Sequence, residues 1–315
     1  MKQPKIIIDT DPGIDDAMAI LLAHLAPDIE LIGLTTIFGN VPVAQATHNA
    51  CILSDLMGGK VPVASGSAHP LNRANDHYPD FVHGKDGFGD TSMEPPVTKA
   101  IEQGAIDFII EQISQSPGEI TLVPIGPLTN IAKALEKAPE IASQVKEVVL
   151  MGGAATVNGN VNAAAEANML SDPHAADRVF TTDWPITMVG LDVTHQIIMD
   201  EAYLDRVHQV GSPIGGFLRR IVQFYLDFHR STGIDGLYTH DPAAIVYLLK
   251  PEIFTVQRGA VRVCTHGIAA GQTIMNLSGR PYLGTAWDGI PTSDACVDVD
   301  VTAFLEWYAG IMSGN

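Results

Sequence analysis

Four aspartates, Asp9, Asp11, Asp15 and Asp16, crowd into one short stretch directly after the apolar run Ile6-Ile7-Ile8. Turn formation and helix capping both favour Asp, and they account for one or two of the four. The rest need another explanation. No Lys or Arg occurs from Ile6 to Gly59, so no local side chain neutralises the cluster, and like charges so close raise one another's pKa. A divalent cation is the economical counter-charge. All-oxygen donors without a local Cys or His ligand suit Ca2+ or Mg2+, and carboxylates that bind through one oxygen or two favour Ca2+ over Mg2+.

Such a cluster needs a scaffold, and the hydrophobic pattern supplies one. Lys5 to Asp9 reads as a strand before a helix from Asp15 to Leu25, and Glu30 to Ile37 as a strand before a helix from Val43 to Met57. The rhythm continues with strands at Val61 to Ser65, Ile120 to Ile125, Glu147 to Met151 and Ile186 to Gly190. Helices are expected at Thr98 to Ser114, Thr129 to Lys137 and Pro173 to Phe180. Repeated βα units with near-continuous apolar strands predict an α/β fold: a mostly parallel, doubly wound, Rossmann-like open sheet flanked by helices. Beyond Leu191 the pattern turns helical, at Asp200 to Val210, Ile214 to His229, Asp241 to Leu249 and from Val301 onward, with strands and loops of an edge extension between Phe254 and Val301. Neither a repeat nor a low-complexity linker interrupts the chain, which reads as a single domain over residues 1–315. In open α/β sheets ligands sit beyond the C-terminal ends of strands, which is where the aspartates fall.

Composition narrows the chemistry. Eighteen basic against 36 acidic residues give a formal charge of −18, the wrong sign for a nucleic-acid polymer as partner. Cys51, Cys264 and Cys296 are far apart in apolar runs, which suggests buried thiols rather than disulfides or a zinc site. The N-terminus lacks the pattern of a signal peptide and no segment has the length and apolarity of a membrane span, so a cytoplasmic protein is expected.

Asp9 to Asp16 is followed in order by Thr35 to Asn40, Val82-His83-Gly84, Val123 to Asn130, Met151-Gly152-Gly153, Glu166-Ala167-Asn168 and His240-Asp241. Over almost the whole chain this series resembles the inosine-uridine-preferring nucleoside hydrolase family. The resemblance implies Ca2+ held by Asp11, Asp16, Asp241 and the Ile125 carbonyl, with Asp11 also the base for a metal-bound water. It implies ribose contacts from Asp15, Asn160, Glu166 and Asn168, a contact beneath the sugar from Met151, and water positioning by Asn40. His240 would assist departure of the base, which His83 would touch. A homotetramer or homodimer is also implied.

The residues themselves are compatible with these roles. Ile125 ends a strand before Gly126-Pro127, where a carbonyl can leave the sheet. Asp241 before Pro242 would by itself be a helix cap, and the remote cluster's need for another oxygen favours a ligand. Asn40 and Asn160 beside glycines could equally form turns, Met151 could be core, and Tyr238 could assist base departure or only pack, with packing favoured. Imidazole titrates near neutral pH, which suits His240 to give a proton to a leaving base. Ala167 stands where the family commonly has Phe, and Lys85 to Asp90 alters a glycine-bearing family loop. The segments Gly66 to Met93 and Phe228 to Thr239 are expected to be loops able to cover a substrate. Two other functions remain open: a Mg2+-dependent phosphatase of the haloacid-dehalogenase kind, which also carries Asp after its first strand, and a non-catalytic ribose-binding protein.

Overall fold

The computed structural model describes residues 3–73, 78–208, 211–277 and 281–314. Ile6, Ile7 and Ile8 are all fully buried, because β1 (Lys5–Thr10) lies inside a sheet covered on both faces. It leads to α1 (Ile14–Leu25), β2 (Glu30–Thr36), α2 (Val43–Leu56), β3 (Val63–Ser65) and the single turn α3 (Asp80–His83). The second half-sheet follows: α4 (Ala105–Gln115), β4 (Ile120–Pro124), α5 (Thr129–Lys137), α6 (Ile141–Gln144), β5 (Glu147–Met151), α7 (Ala167–Ser171), α8 (Pro173–Phe180) and β6 (Ile186–Val189). Then come α9 (Leu191–Thr194), β7 (Ile198–Met199), α10 (Glu201–Val207), α11 (Pro213–Ser231), β8 (Leu237–Tyr238) and α12 (Asp241–Leu249). Strands β9 (Phe254–Val263), β10 (Thr273–Asn276) and β11 (Thr292–Val299) precede α13 (Val301–Met312).

The main sheet has the order β10-β9-β11-β6-β5-β4-β1-β2-β3. From β3 to β11 every pair is parallel, and β9 and β10 add an antiparallel edge. The segment 3-2-1-4-5-6 is the doubly wound order, so the strand direction of travel reverses between β1 and β4. A crevice therefore opens beyond Thr10 and Pro124. Apolar side chains of α1, α2, α11, α12 and α13 fill one face, and those of α4, α5, α6 and α8 fill the other.

The expected α/β architecture is present, with helices α5, α8 and α12 beginning and ending where the periodicity placed them. The helix expected from Thr98 instead starts at Ala105. Asp55 accepts bonds from the Val97 and Thr98 amides, and Ile101 N–H donates to Val63, so residues 97–101 are held extended along the sheet edge. The helix expected over Asp200 to Val210 is α10, and residues 209 and 210 lie outside the described ones. The edge extension after Phe254 exists, but its β11 is inserted in parallel beside β6. The three cysteines are free. Cys51 and Cys296 are buried as expected, whereas Cys264 is only half-buried because it follows β9 at the sheet edge. Among the described residues no helix is long and apolar enough to cross a membrane.

Candidate active site

Asp11 leaves the end of β1 and enters a slot between the loops after β2 and β4. A Cβ on Gly39 would lie 1.9 Å from Asp11 Oδ2, and one on Gly126 would lie 2.3 Å from Oδ1, so both loops need glycine. The Asn40 amide donates to Asp11 Oδ2 at 2.6 Å, while Asp11 Oδ1 is buried without a hydrogen-bond partner. Asp16, in the first turn of α1, is held more completely. It accepts from Thr10 Oγ1 at 2.5 Å, Asp11 N at 3.3 Å, Gly13 N at 3.0 Å and Asn40 Nδ2 at 2.9 Å. Helix α12 packs on α1 and brings Asp241 across more than two hundred residues of sequence. One carboxylate oxygen from each of Asp15, Asp16 and Asp241 lies within 4.8 Å of the others. Asp11 is outside that tightest trio, although its charge is felt by Asp241.

Burial dominates the electrostatics. It pushes Asp11 and Asp241 well above the ordinary carboxylate range, and neighbouring carboxylates add to the shift. Asp15 and Asp16 are raised to about 6 by burial. Among the described residues no Lys or Arg forms an ion pair with any of the four; the closest cationic candidate is His83 Nδ1, 3.9 Å from Asp15 Oδ1. Asp9 stands behind this group. Its Oδ1 accepts from Thr35 Oγ1 and Asn130 Nδ2, its Oδ2 has no partner, and burial raises it to about 7. The trio of buried carboxylates with bare oxygens on Asp11 and Asp15 fits a hard divalent cation.

Asn160, Glu166 and Asn168, expected to contact a ribose, come from the loop after β5 and from α7. Asn168 Nδ2 donates to the Ile125 carbonyl at 3.0 Å and the Met151 carbonyl at 3.2 Å, so the ends of β4 and β5 share one amide. Glu166 is buried and caps α7, accepting from the Asn168, Met169 and Gly153 amides. Asn160 is exposed on a loop, where its Oδ1 accepts from Ala167 N at 3.1 Å.

Opposite the carboxylates stands a wall of rings. His83 ends α3, accepts from Ile14 N–H at 3.2 Å through Nδ1, and stacks on Tyr225 with centroids 5.3 Å apart. Burial lowers its pKa to about 4, so it is a neutral imidazole. His240 is buried at the start of α12, with Nδ1 2.9 Å from Thr194 Oγ1, and burial holds its pKa well below the ordinary value. Between them run His195, Tyr238 and His229: His195 meets Tyr238 at 4.4 Å and His240 at 5.6 Å, and His229 meets Tyr238 at 5.4 Å and Tyr225 at 4.4 Å. Tyr238 lies among these rings. The two covering segments are not bare loops: α3 lies in one, and its Phe81 meets Phe228 at the end of α11 at 5.8 Å. Residues 74–77 of the first lie outside the described ones.

Sequence reasoning gave no role to His195, His229, Thr194 or Tyr225. The first and third stand at the end of α9, the single turn that follows β6, so the strand-end rule that found Asp11 also points to them. Tyr225 and His229 share a face of α11 at i,i+4 spacing, a signal visible in the sequence.

Residues 6–306 match the family model described as inosine-uridine preferring nucleoside hydrolase. Uridine nucleosidase 1 of Arabidopsis thaliana is 43% identical over 309 residues, covering 97% of this chain and 92% of the relative. Among solved structures, a plant nucleoside hydrolase is 41% identical with a TM-score of 0.96, covering 99% of this chain and all of the other. A purine-preferring ribonucleoside hydrolase from Gardnerella vaginalis is 36% identical with a TM-score of 0.91, covering 98% of each chain. These matches speak against the phosphatase reading. The crevice between β1 and β4, its buried aspartates and the agreement over the full length lead to one assignment: the chain belongs to the inosine-uridine preferring nucleoside hydrolase family and is a nucleoside hydrolase.

Proposed function

We propose that this enzyme hydrolyses the N-glycosidic bond of purine and pyrimidine ribonucleosides, giving free base and ribose. The observation that carries this reading is the buried group Asp11, Asp15, Asp16 and Asp241, paired with no Lys or Arg among the described residues and accompanied by a wall of neutral imidazoles. Asp11, Asp16, Asp241 and the Ile125 carbonyl would hold a divalent cation, Ca2+ in preference to Mg2+. When bound, that cation supplies the missing counter-charge and lowers the pKa of a neighbouring water.

The chain's own residues do the rest. Asp11 Oδ1, the oxygen without a partner, takes a proton from the attacking water. Asn40, fixed through both its backbone and its side-chain amide, keeps that water in line. Asp15, Asn168, Glu166 and the more exposed Asn160 grip the ribose hydroxyls, with Met151 beneath the sugar. Grip on the sugar holds C1′ against the negative floor, which stabilises the oxocarbenium-like charge of the transition state. His240 gives a proton or hydrogen bond to the departing base, and His83 contacts that base. Closure of the segments around Phe81 and Phe228 excludes bulk water; identical, equally ordered positions in free and liganded crystals would remove this element. The free thiols agree with a reducing, cytoplasmic setting, and a homodimer or homotetramer is the expected assembly, which sedimentation of the purified chain tests.

A panel of nucleosides assayed for ribose, with and without EDTA and beside a panel of phosphate esters, tests the function. Ribose released only in the presence of the cation is expected. Phosphate release, or binding of nucleosides without turnover, would overturn it in favour of a phosphatase or a non-catalytic ribose-binding protein.

A further inference from the structure

We propose that Thr194 is a positioning residue, fixing the His240 ring so that Nε2 faces the departing base; this rests on the role given to His240 above. The backbone of His240 is already pinned. Thr239 N–H donates to Ile197 at 3.0 Å, Ala243 N–H donates to the His240 carbonyl at 3.0 Å, and Ile198 and Met199 of β7 pair with Tyr238 and Leu237 of β8. Pinning the backbone leaves the ring two side-chain rotations, and a ring free to turn spends little time aimed at a leaving group.

Only one polar contact acts on the ring among the described residues. Thr194 Oγ1 lies 2.9 Å from Nδ1, and Thr194 is fully buried. His195 and Tyr238 flank the ring at 5.6 and 6.0 Å between centroids, which limits tilting but binds neither nitrogen. Thr194 is in turn held by the sheet. It ends α9, its amide and that of Val193 both donate to Gly190 directly after β6, and its β-branched side chain has few rotamers. The two-stranded ribbon joins the segments just after Thr194 and just before His240, so hydroxyl and imidazole are set at a fixed separation by the same element. The Thr194 hydroxyl can donate to a bare Nδ1, which leaves the proton of the neutral ring on Nε2. With that bond made, Nε2 is the only ring nitrogen left for the substrate.

Thr194→Val keeps the shape and removes the hydroxyl; Thr194→Ser keeps the hydroxyl. Both are assayed on inosine, on uridine and on 4-nitrophenyl β-D-riboside, whose leaving group departs as an anion without needing a proton. The valine variant is expected to lose about 10- to 100-fold in kcat on the nucleosides, with KM within about twofold, the loss a misaimed catalytic group produces. Its rate on the aryl riboside stays within about twofold of the parent, and serine restores nucleoside turnover. Parental kcat on nucleosides, or equal losses on all three substrates, overturns the proposal.

The unsubstituted protein gives a second readout that needs no variant to fold. The 15N resonances of the His240 ring should report a single tautomer protonated at Nε2, and a mixture of tautomers or a proton at Nδ1 alone contradicts the assignment. If the parent releases no ribose from any nucleoside, the functional reading fails, while the ring resonances still decide whether Thr194 orders His240.

Discussion

The two sides of the crevice are built differently. The carboxylate floor hangs from the ends of β1, β2, β4 and β5 and is joined by Asp241 of α12; narrow glycine loops hold Asp11, and Asp16 alone accepts four hydrogen bonds. The ring wall comes from α3, α9, β8, α11 and α12, and it is held mainly by ring packing, with single hydrogen bonds fixing His83, His240 and His229. In the proposed reaction, a floor fixed by the sheet serves what every substrate shares, the ribose. In the same proposal, a wall of packed rings on peripheral elements serves what differs, the base. Substitutions on the floor should therefore damage all substrates alike, and substitutions on the wall should discriminate among them.

The largest effect belongs to the floor. Asp11→Asn should cut ribose release by about a thousandfold or more on every nucleoside, the scale of a lost general base, while circular dichroism stays parental. Activity above a tenth of the parent would remove Asp11 from that role. On the wall, His240→Ala should cost about a hundredfold on inosine and uridine but far less on an aryl riboside that leaves unaided. Equal losses on both would mean that His240 belongs functionally with the floor.

Removing the cation sharpens the comparison through pH. Burial raises Asp9 to about 7 and Asp15 and Asp16 to about 6, from an ordinary value of 3.8. A folded-state pKa above the unfolded one means the fold binds these protons more tightly, so their stabilisation is complete below about pH 4 and is lost as pH rises through 6 to 7. The Tm of chelator-treated protein should fall between about pH 5 and pH 8, and added Ca2+ should abolish that slope. A flat profile in chelator would show that the floor carries no uncompensated charge. The smallest effect is expected at Tyr238→Phe. Tyr238 meets its neighbours through its ring, so kcat should stay within about twofold, and a larger loss would give its hydroxyl a part in base departure.

The contrast also explains what the sequence made legible. Asp9 to Asp16 form one short segment after an apolar strand, and their missing counter-charge can be read from composition alone. Ile125 and Met151 close strands whose apolar runs are equally plain. The wall is different: the β7–β8 ribbon is two residues on each side, too short for any periodicity, and α3 and α9 are single turns. His195 meets Tyr238 through these short elements, and His229 meets it from α11, so the ring cluster itself cannot be read from local pattern although each histidine has a local signal. The extended segment at 97–101 was misread because Asp55, on α2, supplies the bonds that hold it out of a helix.

Asp241 and the N-terminal aspartates are proposed to share one cation. Calorimetric titration of chelator-stripped protein with Ca2+ tests this directly. A single ion should bind per chain, with binding lost in Asp241→Asn and the fold retained. Absence of binding in the parent, or unchanged binding in Asp241→Asn, would contradict it.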